Sequence, residues 1–288
     1  MPSRKIVWLA SYPKSGNTWV RLLLGNLLGL ADDMEDDALV PVAGISSSRT
    51  VFDHVTGLNS FDLTDDEADM LRPEVYRRIS AGAVDLQFIK AHDANRTSPC
   101  GLPLFPPECT RAAIYIVRDP LDVAVSYANH AGRSGYDRTV DEMNDPGRSI
   151  SGGSSEQLRQ VMLDWSGHYR SWVKQEEIPV YLVRYEDLRA NTGEQLSRIA
   201  EFIGLDPGKC QATVAAAVEA SRFERLQAIE QEKGFRERPD KSQRFFRSGR
   251  SGDGKLLLSS EQQQRLIASH ADVMRELGYL QECDDDRS

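Results

Sequence analysis

The chain has 288 residues, with 35 basic and 44 acidic side chains, a net charge of −9 and 40% hydrophobic residues. That size suits one large α/β domain or two small ones, with enough chain to bury a substantial core, and the acidic balance argues against nonspecific binding to DNA or to an anionic membrane surface. The four cysteines, Cys100, Cys109, Cys210 and Cys283, form no Cys-x-x-Cys pair or Cys/His cluster, so reduced thiols are expected and no metal site is implied.

The first element is a short β-rich run, Ile6-Val7-Trp8-Leu9, followed by a polar turn and an apolar, proline-free run over 20–30 that predicts a helix. The given sequence leads almost directly into this strand, so no signal peptide is expected. The run over 22–30 is broken by Gly25 and Asn26 and is too short to span a bilayer. A cytoplasmic protein without an anchor is expected. An acidic loop follows at 32–37. Helix starts are expected at 46–49 and over 65–80, the latter with Thr64 as N-cap and acids in its first turn. Strands are expected at 86–89, 112–117 and 178–183, then a polar helix over 192–203 ended by Gly204. Segments 132–155 and 233–254, rich in Gly, Ser and charged or amide residues, read as mobile loops. No repeat divides the chain. The expectation is a single α/β domain over 1–288, with a central, mostly parallel sheet flanked by helices and ligands bound beyond the carboxyl ends of the strands.

The turn Tyr12-Pro13-Lys14-Ser15-Gly16-Asn17-Thr18-Trp19 is the most informative segment. A turn that opens a helix presents unpaired backbone N–H groups and the positive end of the helix dipole. Lys14 adds a cation, Gly16 permits close backbone approach, and Ser15 and Thr18 add hydroxyls, which together make a phosphate-type cradle. A nucleotide-triphosphatase loop places its glycines first and ends in Gly-Lys-Ser/Thr; here the lysine precedes the glycine, so that pattern fails.

A second motif runs from Tyr115 to Tyr127. Asp119 suits an N-cap and Pro120 the first helical position, so a strand ends at Arg118 and a helix starts at once. Arg118 is left at the strand end, where its fork suits a phosphate, with Ser126 two turns into the helix. A third, Lys90-Ala91-His92-Asp93, ends a short strand. An imidazole with a pKa near working pH can remove the proton of a hydroxyl nucleophile. Trp19, Tyr185 and Phe223 supply aromatic faces for a base, with core packing the ordinary alternative for each.

Residues 12–19 resemble the 5′-phosphosulfate loop of the soluble, cytosolic-type sulfotransferases that use 3′-phosphoadenosine 5′-phosphosulfate (PAPS). The other motifs follow in that family's order. The resemblance implies an α/β fold with a P-loop-like phosphosulfate site and in-line transfer of a sulfuryl group from PAPS to an acceptor hydroxyl or amine. It implies His92 as catalytic base, Lys14 and Lys90 at the sulfuryl group, and Ser126 on the 3′-phosphate with a restraining role toward Lys14. It implies PAPS-binding roles for Lys14, Ser15, Gly16, Asn17, Thr18, Trp19, Arg118, Ser126, Tyr185, Ser221 and Phe223. Arg247, Ser248 and Gly249 fall in a segment similar to the family's closing Arg-Lys-Gly motif.

The departures are specific. Ala91 replaces a small hydroxyl residue, Asp93-Ala94 replaces the Leu-Pro that follows the family's histidine, Ser248 replaces a lysine and Gly254 a tryptophan, with Arg250 as a substitute cation. The family's dimer motif keeps only Lys255, so monomer and homodimer both stay open. A small-molecule acceptor is expected, from a pocket drawn from 40–61, 93–105 and 132–155. Phe52, Leu58, Phe61 and Phe105 permit a phenol or lipid-like alcohol, and the polar loops permit a sugar or peptide natural product in a bacterial biosynthetic setting. Two rivals remain: a P-loop-type kinase using ATP and magnesium, and a non-catalytic nucleotide-binding protein of the same fold.

Overall fold

The computed structural model describes residues 4–29, 44–235, 244–246 and 249–281. Four parallel strands form its centre: β1 (Ile6–Ser11), β2 (Gln87–Ala91), β3 (Thr110–Val117) and β6 (Val180–Arg184), in the order β2-β1-β3-β6. β1 is buried along its whole length because it is paired on both edges and covered on both faces, which is why it reads as a continuous apolar run. Alternate residues feed two cores. Trp8, Ala10, Ile89, Tyr115 and Val117 pack on one side with Tyr76, Phe105, Trp165 and Trp172. Val7, Leu9, Phe88, Ile114 and Ile116 pack on the other with Leu22, Leu23, Leu196 and Ile199.

Helix α1 (Asn17–Leu28) follows β1. Next come α2 (Arg49–Thr56), capped by Ser48, and α3 (Asp65–Gly82). Thr64 and Glu67 form a reciprocal capping box at the start of α3, the signal expected from its sequence. α4 (Pro120–His130) is capped by Asp119, whose side chain accepts from the Leu121 N–H at 2.9 Å. α8 (Thr192–Phe202) ends just before Gly204, at φ 85°. The remaining helices are α5 (Asp137–Asn144), α6 (Trp165–Val173), α7 (Tyr185–Ala190), α9 (Val214–Ala220), α10 (Phe223–Lys233), α11 (Asp253–Leu257) and α12 (Ser260–Glu276).

The segment 132–155 differs from the loop expected of it. It carries α5 and the strand β4 (Ser149–Ile150), which pairs antiparallel with β5 (Gln160–Val161). Val140 and Met143 stand three residues apart and are both fully buried, so a short amphipathic helix hides in a Gly- and Asp-rich composition. The acidic 32–37 stretch lies outside the described residues. Cys109 is buried and Cys100 exposed, both free thiols, while Cys283 lies outside the described residues.

The chain passes from β1 to β2 on one side and then across to β3 on the other. The crevice beyond their carboxyl ends is therefore the place where an open parallel sheet binds ligands.

Candidate active site

One cavity of about 920 Å³ opens at this end of the sheet. Each strand contributes through the segment that follows it: Lys14, Gly16, Asn17, Thr18 and Trp19 after β1, Lys90 and His92 at the end of β2, Arg118 after β3, and Tyr185 after β6. Ser126, Ser221, Phe223 and Gly249 join them. Arg247 and Ser248 lie outside the described residues.

The turn after β1 is shaped by two left-handed residues, Lys14 at φ 68° and Gly16 at φ 108°. Gly16 is required twice over, since a Cβ there would lie 2.7 Å from the Tyr185 ring. It is the N-cap of α1, with no side-chain cap and no acidic residue in the first turn, so the amide groups of that turn are left for an anion. Ser15 lies beneath the turn rather than in the cavity wall, fully buried, with its Oγ lacking a hydrogen-bond partner. Asn17 has a different task from direct contact through its side chain. Its Nδ2 donates to the Leu9 carbonyl at 2.7 Å and to Ser11 Oγ at 3.2 Å, tying helix to strand.

Arg118 is mostly buried. Its guanidinium stacks 4.5 Å from the Tyr185 ring centre and donates to the carbonyls of Arg250 at 2.8 Å and Lys14 at 3.5 Å. Asp122, in the first turn of α4, accepts from the Gly252 and Gly254 amides at 2.8 and 2.7 Å. The C-terminal segment is thereby fastened across the start of α4. Gly254 passes so close that a Cβ would sit 2.3 Å from the Leu121 carbonyl carbon, so the tryptophan of the resembled motif has no room here. Tyr185 donates its hydroxyl to the Gly249 carbonyl at 3.2 Å, and burial raises its pKa. Trp19 donates its Nε1–H to the Ser221 carbonyl at 2.9 Å and meets Tyr185 edge on, while Ser221 Oγ accepts from Asn26.

His92 is aimed by its backbone and ring together. Its Nδ1 stands 2.8 Å from the Ser11 carbonyl, which can only accept, so Nδ1 carries the proton and Nε2 is the basic nitrogen. Its carbonyl accepts from Nε2 of His168 at 3.1 Å, and His168 Nδ1 in turn accepts from the Tyr115 hydroxyl at 2.8 Å. Burial pushes His168 down to about 4, which keeps it neutral in this relay. Behind His92, Asp93 is clamped by Arg72 through contacts of 3.1 and 2.6 Å, and it also accepts from the Val161 amide. Trp172 Nε1 donates to the Asp93 carbonyl. The Asp-Ala step that departs from Leu-Pro is therefore a buried anchor.

Sequence reasoning misses His130, Arg189, Gln157, Gln160, Gln227 and Phe245, all of which line the cavity. One signal could have found His130, which lies four residues after Ser126 on the same helical face. The four apolar residues expected in the acceptor pocket need correction. Phe52 and Phe105 are core residues, Leu58 and Phe61 are exposed, and none lines the cavity. Ile45, Tyr127, Ile150 and the two glutamines line the cavity instead. Among the described residues no His/Cys/Asp/Glu group could hold a metal ion, and no helix is long and apolar enough to cross a membrane.

A family model, the sulfotransferase domain, matches residues 4–278. The chain belongs to the sulfotransferase family. Among curated sulfotransferases it is 26% identical to a flavonol 3-sulfotransferase of Flaveria bidentis, over 90% of this chain and 78% of that one. It is 25% identical to cytosolic sulfotransferase 16 of Arabidopsis thaliana, over 95% and 77%. The fold is shared with a mouse sulfotransferase crystallised with PAP (3′-phosphoadenosine 5′-phosphate), at a TM-score of 0.59 and 20% identity over 96% and 87% of the two chains. It is shared too with a retinol dehydratase complexed with androsterone and PAP, at 0.61 and 18% over 99% and 83%.

Proposed function

We propose that this sulfotransferase carries PAPS in the cavity, with the phosphosulfate on the turn 14–18 and the 3′-phosphate at Arg118 and Ser126, and that His92 activates the acceptor. The observation that carries this reading is the convergence of an uncapped helix start, the Lys14 ammonium, the Arg118 fork and the Nε2 base of His92 on one cavity large enough for a nucleotide and a small acceptor. The buried, unpartnered Ser15 hydroxyl fits a phosphosulfate oxygen once the turn adjusts around it.

Bound PAPS supplies an activated sulfuryl group whose sulfur is attacked in line by the acceptor oxygen. His92 Nε2 takes the acceptor proton as the new S–O bond forms and the bond to the nucleotide oxygen breaks. Lys14 stabilises the charge gathering on that departing oxygen, and Lys90, two residues before His92 on the same strand face, holds the sulfuryl oxygens. Trp19, Tyr185 and Phe223 enclose the adenine. The polar walls formed by Gln157 and Gln160 favour an acceptor with several hydrogen-bonding groups, a phenol or a sugar-like alcohol.

Transfer of radiolabelled sulfate from PAPS to a panel of phenols, glycosides and peptides tests the reading. Wild type is expected to label at least one class and H92A to lose at least ~10²-fold in turnover with PAP affinity kept. Labelling driven by ATP and magnesium, with no PAP binding, would favour the kinase alternative.

A further inference from the structure

The mechanism above gives no role to His130, the second imidazole of the cavity. His130 is the last residue of α4, and its Nδ1 lies 3.4 Å from the Lys14 ammonium. The same ammonium sits 4.2 Å from the centre of the Phe245 ring, and the Phe245 and His130 rings meet edge to face at 6.1 Å and 81°. Two side chains from distant segments, His130 and Phe245, thus meet at the ammonium of Lys14. An ammonium can only donate, so Nδ1 must offer its lone pair, which makes His130 a neutral imidazole with its proton on Nε2. A lysine stem is flexible and its charge is a point, so direction has to come from its surroundings. The backbone of Lys14 is itself held in the left-handed region that side-chain-bearing residues rarely occupy, a conformation that persists only where neighbours impose it.

Resting on the donor assignment given above, we propose that His130 is a positioning residue for sulfuryl transfer: its neutral Nδ1, with the Phe245 ring face, directs the Lys14 ammonium along the phosphosulfate turn. The two cavity histidines then have separate tasks. His92 takes a proton from the acceptor; His130 takes none and acts through the lysine. Removing the imidazole leaves the charge of Lys14 but not its direction. The loss therefore falls on donor turnover and not on acceptor capture.

The test compares wild type with H130A, H130F and H130N, because the Oδ1 of asparagine can occupy the place of Nδ1 and accept from an ammonium. In donor-free protein, the rate at which an amine-reactive acylating reagent labels Lys14 is followed by peptide mass spectrometry. Labelling is expected to rise several-fold in H130A and H130F and to stay near the wild-type rate in H130N. In steady-state kinetics with PAPS and one phenolic acceptor, kcat/KM for PAPS is expected to fall ~10-fold or more in H130A and H130F and to recover in H130N, with the acceptor KM within about twofold throughout. Unchanged Lys14 labelling, an acceptor KM that rises while donor kinetics hold, or equal activities of H130A and H130N would each overturn the assignment. The labelling needs no turnover. A wild-type protein that transfers no sulfate from PAPS would therefore count against the donor reading while leaving the coupling of Lys14 to His130 measurable.

Discussion

Arg72 forks onto Asp93, the residue immediately after His92, with Nη1 at 3.1 Å from Oδ1 and Nη2 at 2.6 Å from Oδ2, both side chains almost wholly buried. The pair links α3 to the strand end that carries the proposed base. Asp69 and Arg159 extend it, since Asp69 accepts from Arg72 at 3.1 Å and from Arg159 at 2.6 Å. Burial alone would lower the Arg72 pKa, yet the Asp93 carboxylate beside it holds it well above its ordinary value.

Removing Asp93 takes from the buried Arg72 guanidinium its two-pronged partner and leaves it Asp69 as the remaining carboxylate, a loss that costs on the order of 3 kcal/mol. D93A is expected to lower stability by about that amount in urea unfolding and to reduce turnover further by loosening His92. A D93L/R72M double variant, which removes both charges, is expected to regain much of the stability. A D93A variant as stable and active as wild type would show that the clamp does not aim His92.

Stability is expected to fall as pH drops below about 6.5. Burial pushes His168 and His270 to about 4 in the fold, against an ordinary value of 6.5. Between those limits the unfolded chain binds protons that the native one does not, so unfolding gains with each step down in pH. A difference of about 2.5 units corresponds to roughly 3 kcal/mol for each histidine once both limits are passed. Thermal melts from pH 7.5 to 4.5 should show the decline, and H168Q should flatten it. A flat wild-type profile over that range would contradict neutral burial of both rings.

Gly16 is expected to tolerate no side chain. The Cβ of G16A would meet the Tyr185 ring at 2.7 Å in a backbone conformation, φ 108°, that alanine avoids. Such strain costs about 1–3 kcal/mol. PAP affinity, measured by calorimetry, is expected to fall roughly 10-fold or more, and a Y185A/G16A double variant should relieve the clash but not the backbone strain, so it should not recover wild-type affinity.

R118A is expected to weaken PAP binding roughly 10- to 100-fold while changing AMP binding little, because a charged fork on the 3′-phosphate is lost and AMP has none. Equal losses for the two nucleotides would instead mark Arg118 as a brace for the carbonyls of Lys14 and Arg250, the contacts it makes in this structure.

The parallel sheet and the turn at 12–19 are legible in the sequence because their signals are local. A proline at N1, a capping box and a glycine after a helix each act within a few residues. What depends on distant segments is not legible. Asp93 reads as an odd residue after a histidine until Arg72, 21 positions earlier, is folded against it. His130 reads as a helix end until Lys14 and Phe245 arrive from opposite ends of the chain. Phe52 and Phe105 suit an aromatic pocket by composition, yet the Trp8, Tyr76 and Trp172 rings claim Phe105 for the core. Composition also hides α5, whose apolar positions are only two residues among many polar ones.

A crystal structure with PAP bound tests the central claim most directly. The 5′-phosphate is expected within about 3 Å of the backbone amides of residues 15–18 and of the Lys14 ammonium, with the 3′-phosphate on the Arg118 fork. A nucleotide seated elsewhere, with that turn empty at saturating PAP, would contradict it.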